Sequence, residues 1–349
     1  MLKRKSNIEL LRIVTMLLVV LVHVNYFSLG AVEVEDFACH PVNAFLKALA
    51  EQLCVICVNV FVLISGWFGI RPNIKGVLSL LFQVVFFYVL VVLCLILVGV
   101  PVTLNDIVKG LYVGRPYWFV VSYLILYAVA PILNVFIDSS SPKMFASVLA
   151  AFFFCEFVLG WCVGVSDFHG GYSALSFVGL YLLAQFIRKY SLRLLSIGVG
   201  ANLLLYLLFS IIPVFIYFLT GFPLGTISYV SPFVISASVF FFLAFYKMKM
   251  SSKVVNYLAS SAFSIYLVHQ HPLVIKHFIS FMNSTYVALG GYWYVLFVIV
   301  FAVCLGVLCI LLDKVRILLW NLLCRLCVDR LILRFQKVVE KVFYGGEYN

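Results

Sequence analysis

The sequence predicts an all-α, polytopic membrane helix bundle, and three observations carry that expectation. Of the 349 residues, 65% are hydrophobic. Only 11% are charged, against about 25% in an ordinary soluble domain. The apolar residues fall in long runs near the ~20 residues that cross a ~30 Å hydrocarbon core as a helix. A water-soluble fold of this length could not hide so much apolar surface, so lipid must be its solvent.

The runs give about ten transmembrane helices. They lie near residues 8–28, 51–69, 77–99, 117–137, 144–163, 175–188, 194–219, 232–246, 259–280 and 292–312. Pro72, Pro101, Pro116, Pro142, Pro223 and Pro232 punctuate the connections. The first run follows Lys3, Arg4 and Lys5, as a secretory signal would. It lasts from about Ile8 to Leu29, contains Arg12 and His23, and has no small-residue cleavage site, so a retained first helix is expected. No internal repeat is visible, which counts against the inverted-repeat transporters.

The net charge of +11 does not read as a nucleic-acid signal, because the basic residues cluster in short segments between apolar runs. Placing the N-terminus inside puts most of the 24 Lys and Arg on one side: Lys3 to Lys5, Arg71, Lys75, Lys143, Arg188, Lys189, Arg193, Lys247, Lys249, Lys253 and the C-terminal set. Lys47, Lys109 and Arg115 fall outside. That asymmetry predicts both termini in the cytoplasm and an even number of spans. Residues 1–313 then form the transmembrane domain, and 314–349 a cytoplasmic tail. Arg330, Arg334, Lys337 and Lys341 recur there at helical spacing beside Leu, Val and Phe. A basic amphipathic helix lying on anionic lipid is expected.

Most of the ten cysteines lie within apolar runs, where free Cys serves as a small hydrophobe. Cys324-x-x-Cys327 lacks the second pair of a zinc site. No metal is expected.

Ionisable groups inside a span are costly and are functional candidates. Here they are Glu9, Arg12 and His23 in the first helix, Glu156 in the fifth, and His269, His271 and Lys276 in the ninth. Arg12 and His23 are eleven residues apart, about three helical turns, so they project from one face roughly 16 Å apart along the axis. An Arg near the inner surface can hold an anionic or carbonyl oxygen, or simply snorkel to the headgroups. A buried imidazole can act as a base, or rest as a hydrogen-bonded bundle residue. Glu156 has a depth similar to that of His23, so a carboxylate–imidazole pair is expected as one option. His271, next to Pro272, reads as structural. The aromatic residues of the external connections, Tyr112, Tyr117, Trp118, Trp161, Phe168, Tyr172 and Tyr292 to Tyr294, suit either an interfacial belt or the faces of sugars.

Four short segments occur in an order that resembles the acyltransferase 3 family of integral membrane O-acyltransferases. They are Arg12-x10-His23 with the preceding Asn7-Ile8-Glu9; Phe61-Val62-Leu63-Ile64-Ser65-Gly66; Tyr117-Trp118-Phe119 with Tyr123; and Ser264-Ile265-Tyr266-Leu267-Val268-His269. The resemblance implies transfer of an acyl group, acetyl in the usual case, from cytoplasmic acyl-CoA to a hydroxyl of a surface or exported glycan. It implies a bacterial cytoplasmic membrane. His23 would be catalytic, with Glu156 as its candidate partner. Arg12, with Ser65, Arg71 and Arg188, would serve acetyl-CoA. Trp118 and His269 would face the acceptor. His23 would either take the hydroxyl proton or carry the acyl group transiently. The rivals are a transporter or flippase of a lipid-linked sugar, and a non-catalytic component of a polysaccharide assembly complex.

Overall fold

The computed structural model describes residues 4–111, 117–222 and 228–343, with the backbone alone at 109–111, 169 and 339–343. Lys3, Tyr112, Arg115, Pro116 and Pro223 lie outside these residues, as do the side chains of Lys109 and Lys341. No strand occurs among the described residues. Seven helical segments are long and apolar enough to cross a membrane. Five of them are α1 (Ser6–Ser28), α2 (Pro41–Phe68), α3 (Ile74–Leu97), α4 (Trp118–Ser139) and α5 (Pro142–Val163). Then come α6 (Ala174–Tyr190), which is shorter, and α7 (Val199–Thr220), the sixth long one. The apolar α8 (Pro232–Lys247) is also short. They are followed by α9 (Phe263–His269), α10 (Ile275–Leu289) and α11 (Gly291–Leu323). The last of these opens the seventh long segment, and α12 (Asp329–Phe343) follows it. The chain is therefore a multi-pass helical membrane protein.

The helix ends follow from local chemistry. Asn73, Ser141 and Ser173 accept backbone N–H bonds at the starts of α3, α5 and α6, supplying the acceptors that free helix N-termini need. Pro142 and Pro232 occupy first-turn positions, where a missing N–H costs nothing. Asn7 Nδ2 donates to the carbonyls of Phe245 and Tyr246 at 3.0 and 2.8 Å. One side chain on α1 thus satisfies the exposed carbonyls at the end of α8. Residue 66 must be glycine for α2 to lie against α6. A Cβ there would stand 2.8 Å from the Tyr181 carbonyl oxygen, a backbone atom that cannot swing aside.

Two expectations from the sequence are corrected. The ninth helix, expected as one span over 259–280, is broken. Its first part ends at His269 and its second begins at Ile275. Pro272 supplies the physical reason, since it removes a donor and its ring blocks the preceding turn. His271, at the break, accepts from Leu273 N at 3.2 Å and lies against the Tyr88 ring with centroids 4.8 Å apart. Arg316 falls in the expected interfacial tail 314–349, but α11, 33 residues long in all, runs unbroken past residue 313 to Leu323. Arg316 is only 5% exposed and Asp313 is fully buried. Arg316 Nε and Nη2 donate to Asp313 Oδ1 and Oδ2 at 2.6 and 3.0 Å, and Gln83 Nε2 donates to Oδ1 from α3 at 2.9 Å. The bidentate fork satisfies a charge pair that the low-dielectric interior would otherwise reject.

After α11 the chain makes one π turn over Cys324–Val328 and enters α12. Lys75 Nζ at the start of α3 meets Asp329 Oδ1 at 2.7 Å. Both side chains are half-exposed, so the pair positions α12 and adds little stability.

Candidate functional site

The two irregular stretches of the bundle meet. The first helix changes from α to π winding at His23–Ser28, a local insertion that recurs at functional sites. The end of α9 faces it. His23 Nδ1 lies 2.8 Å from His269 Nε2 and 2.7 Å from the side-chain amide of Gln270. The other nitrogen of His269, Nδ1, lies 2.5 Å from the Ile265 carbonyl oxygen.

In front of His23 is a cavity of about 230 Å³. Met16, Val19, Val58, Phe61, Phe119 and Phe263 form its apolar walls. Trp118, Tyr172, Tyr229 and Tyr266 give it an aromatic, hydroxyl-bearing side, and Gln270 and Cys57 complete the surroundings of His23. The rings of Trp118 and Tyr172 lie 4.6 Å apart, and those of Tyr172 and Tyr229 lie 4.9 Å apart. Two connections build this side. Tyr229 N donates to Gly170 O at 2.9 Å, and Asn59 Nδ2 donates to Tyr229 O at 2.9 Å. Gly171, at φ +92, passes so close to Tyr229 that a Cβ would overlap it at 2.4 Å. Burial pushes the Tyr172 phenol up to about 12 and raises Tyr229 well above the ordinary value. Both stay neutral hydroxyls at physiological pH.

The basic candidates surround the other end of α2. Arg12 is one turn before Met16 on α1, and Ser65 is one turn beyond Phe61 on α2. Each therefore sits about 6 Å further along its helix than a cavity residue. Arg12 Nη1 pairs with Glu9 Oε1 at 2.8 Å, and 37% of its side chain remains exposed. Ser65 Oγ donates to Phe61 O at 3.1 Å and meets Tyr123 Oη at 3.3 Å. Past it, Gln185 Nε2 donates to Gly66 O at 2.5 Å and Arg188 Nη1 to Trp67 O at 2.6 Å. Arg188 therefore caps the Trp67 carbonyl at the C-terminus of α2, where a cation is favoured. Arg71 is exposed just beyond.

Two site expectations differ from the geometry. Glu156 makes no hydrogen bond to His23. It begins the π segment ending α5 and is 1% exposed. Ser176 is its polar neighbour. Depth alone suggested the pairing, but depth does not say which face of α5 turns inward. His269 was expected on the cavity wall. It stands behind His23, 1% exposed, because its turn of α9 faces α1. Tyr229 and Gln270 were not anticipated. Gln270 could have been found as an amide beside His269 in an apolar run. Tyr229 had no signal, since only the packing of its connection brings it in.

Among the described residues, no group of three or more His, Cys, Asp or Glu side chains is placed to hold a metal ion. Neither the curated proteins nor the solved structures provide a match. A family model described as an acyltransferase domain, of the acyltransferase 3 type, matches residues 5–311. That stretch takes in the cavity, His23 lining it, His269 behind His23 and the Arg12 end of α1. With nearly the whole membrane bundle covered, the chain belongs to the acyltransferase 3 family of membrane acyltransferases.

Proposed function

We propose that the protein transfers a short acyl group, acetyl in the first instance, from cytoplasmic acyl-CoA to a hydroxyl of a cell-surface or exported glycan. The observation that carries this reading is a histidine, held through one ring nitrogen, lining an aromatic-walled cavity inside a membrane acyltransferase. The broken α9–α10 unit counts as the ninth of ten spans, both termini lie inside, and the membrane is a bacterial cytoplasmic membrane. The basic residues of α12 lie along anionic lipid on the cytoplasmic side.

The roles follow from position. Arg12 and Arg71, with Ser65 and Arg188 around the end of α2, serve the phosphate and pantetheine end of the donor, whose anionic groups suit guanidinium. Arg12 and Ser65 lie one turn past the cavity floor, so a thin pantetheine arm entering there leads its thioester toward His23. The acceptor enters on the side of Trp118, Tyr172 and Tyr229. Flat rings there can cover a sugar face while phenols bond its hydroxyls. His23 removes the proton of the acceptor hydroxyl as that oxygen attacks the thioester carbon.

The test is radiolabel transfer from acetyl-CoA to glycan in membranes holding wild type, His23→Ala or Arg12→Ala at matched expression. Incorporation by wild type and its loss in both variants is the expected result. Full incorporation with His23→Ala would sink the catalytic assignment. Movement of a lipid-linked sugar without release of CoA would favour a transporter.

A further inference from the structure

From the contacts behind the cavity, we infer that His269 and Gln270 are positioning residues that set which nitrogen of His23 is the base. This inference rests on the acyl-transfer reading and deepens it at the same site.

The argument runs atom by atom. The Ile265 carbonyl oxygen can only accept, so the proton between it and His269 lies on Nδ1 of His269. A neutral His269 then presents a lone pair at Nε2. That lone pair faces His23 Nδ1 at 2.8 Å. Two lone pairs do not hold such a distance, so the proton between the rings belongs to His23 Nδ1. Gln270 has Nε2 placed 2.7 Å from the same nitrogen; with the amide's nitrogen and oxygen exchanged, the oxygen accepts from that proton. Amide oxygen and nitrogen are interchangeable by position alone, and the network decides between them. With Nδ1 of His23 protonated, its lone pair is at Nε2. Among the described residues, no carboxylate is a hydrogen-bond partner of either ring, and the proposed relay is neutral at rest.

The fold makes this possible through its irregularities. Adjacent residues on a continuous helix point about 100° apart and would not converge on one atom. Here α9 ends at His269, and Gln270 leaves helical geometry at φ −91, ψ 9, so both side chains reach His23 Nδ1. The π winding at His23 turns the ring to meet them.

The chemical step then balances. The acceptor hydroxyl gives its proton to His23 Nε2, and its oxygen bonds to the thioester carbon. The C–S bond breaks, and the thiolate takes the proton back from Nε2. Acylated acceptor and free thiol leave, and His23 returns to its starting tautomer. While His23 is cationic, its Nδ1–H stays bonded to His269 Nε2, which stabilises the charge without receiving the proton.

The test compares His269→Gln, which keeps an acceptor near the Nε2 position, with His269→Phe, which fills the space and removes the acceptor. We expect kcat to fall on the order of 100-fold in His269→Phe, the lower range of general acid–base contributions. The Gln variant should recover most of that loss, with KM for both substrates unchanged. Equal activity of the two variants would overturn the inference. If His269→Phe does not fold, the ¹⁵N chemical shifts of His23 in the wild-type protein decide. Protonated Nδ1 with unprotonated Nε2 is expected, and the opposite tautomer overturns the assignment. His23→Ala runs in parallel. If that variant remains active, the acyl-transfer role of His23 fails, whereas an inactive His23→Ala beside equal His269 variants removes the positioning role alone.

Discussion

Two buried polar clusters in this bundle use similar ingredients to different ends. Asp313, Arg316 and Gln83 join α11 to α3. His23, His269 and Gln270 join α1 to the end of α9. In the first, opposite charges close on each other through a fork, and none of its members lines the cavity. In the second there is no formal charge, two rings pass a hydrogen-bond direction along a line, and two of the three members border the cavity. An ionisable residue inside a span is a functional candidate by default. On the proposed mechanism, the difference between the two clusters is that the histidine cluster keeps a free valence and adjoins space.

The strongest way to break this comparison is to remove one member of each cluster. His23→Ala should lower transfer by about 10³-fold or more, within the range of acid–base catalysis, with little change in thermal unfolding. Asp313→Ala should do the reverse. It strands the Arg316 charge, so it should cost about 3–5 kcal/mol of stability, read by unfolding in detergent, while each folded molecule keeps its turnover. Replacing both partners, Asp313→Leu with Arg316→Met, should restore most of that stability, because a buried pair is often no better than apolar residues of similar volume. A double variant that folds but loses transfer would place the ionic cluster in the mechanism.

Smaller effects sharpen the second cluster. Trp118→Ala removes one ring of the cavity's aromatic side. It should raise KM for the acceptor about tenfold, or ~1.4 kcal/mol, with kcat and KM for the acyl donor nearly unchanged. A fall in kcat alone would move Trp118 from acceptor binding to support of His23. Glu156→Gln should be the mildest change, within about threefold in turnover, because Glu156 sits beside Ser176 and has no bond to His23. A large loss would restore it as a partner of His23 in some other conformation of α5.

Much of the architecture was legible from composition and run length, since lipid forces helices and helices need a fixed length. The first eight runs match α1 to α8 within a few residues, apart from α2, which starts ten residues earlier at Pro41. The ninth did not, although Pro272 stood in the sequence. Proline kinks are tolerated in membrane helices, so its presence alone could not tell a bend from a break. Arg316 misled because sequence counts charge while only packing shows a fork closing on Asp313.

By itself the sequence determined a multi-span helical chain, the Arg12–His23 spacing on one face of α1, and the order of motifs that identifies the family. These depend on helical period and on the cost of polar groups in lipid, both local properties of the chain. Only the tertiary structure decided that His23 faces His269 and not Glu156, that Gln270 joins them, and that Tyr229 completes the aromatic side of the cavity. Those outcomes depend on which faces of distant helices turn toward each other. That is settled by close contacts such as Gly66 against Tyr181 and Gly171 against Tyr229, and no period within a single helix encodes it.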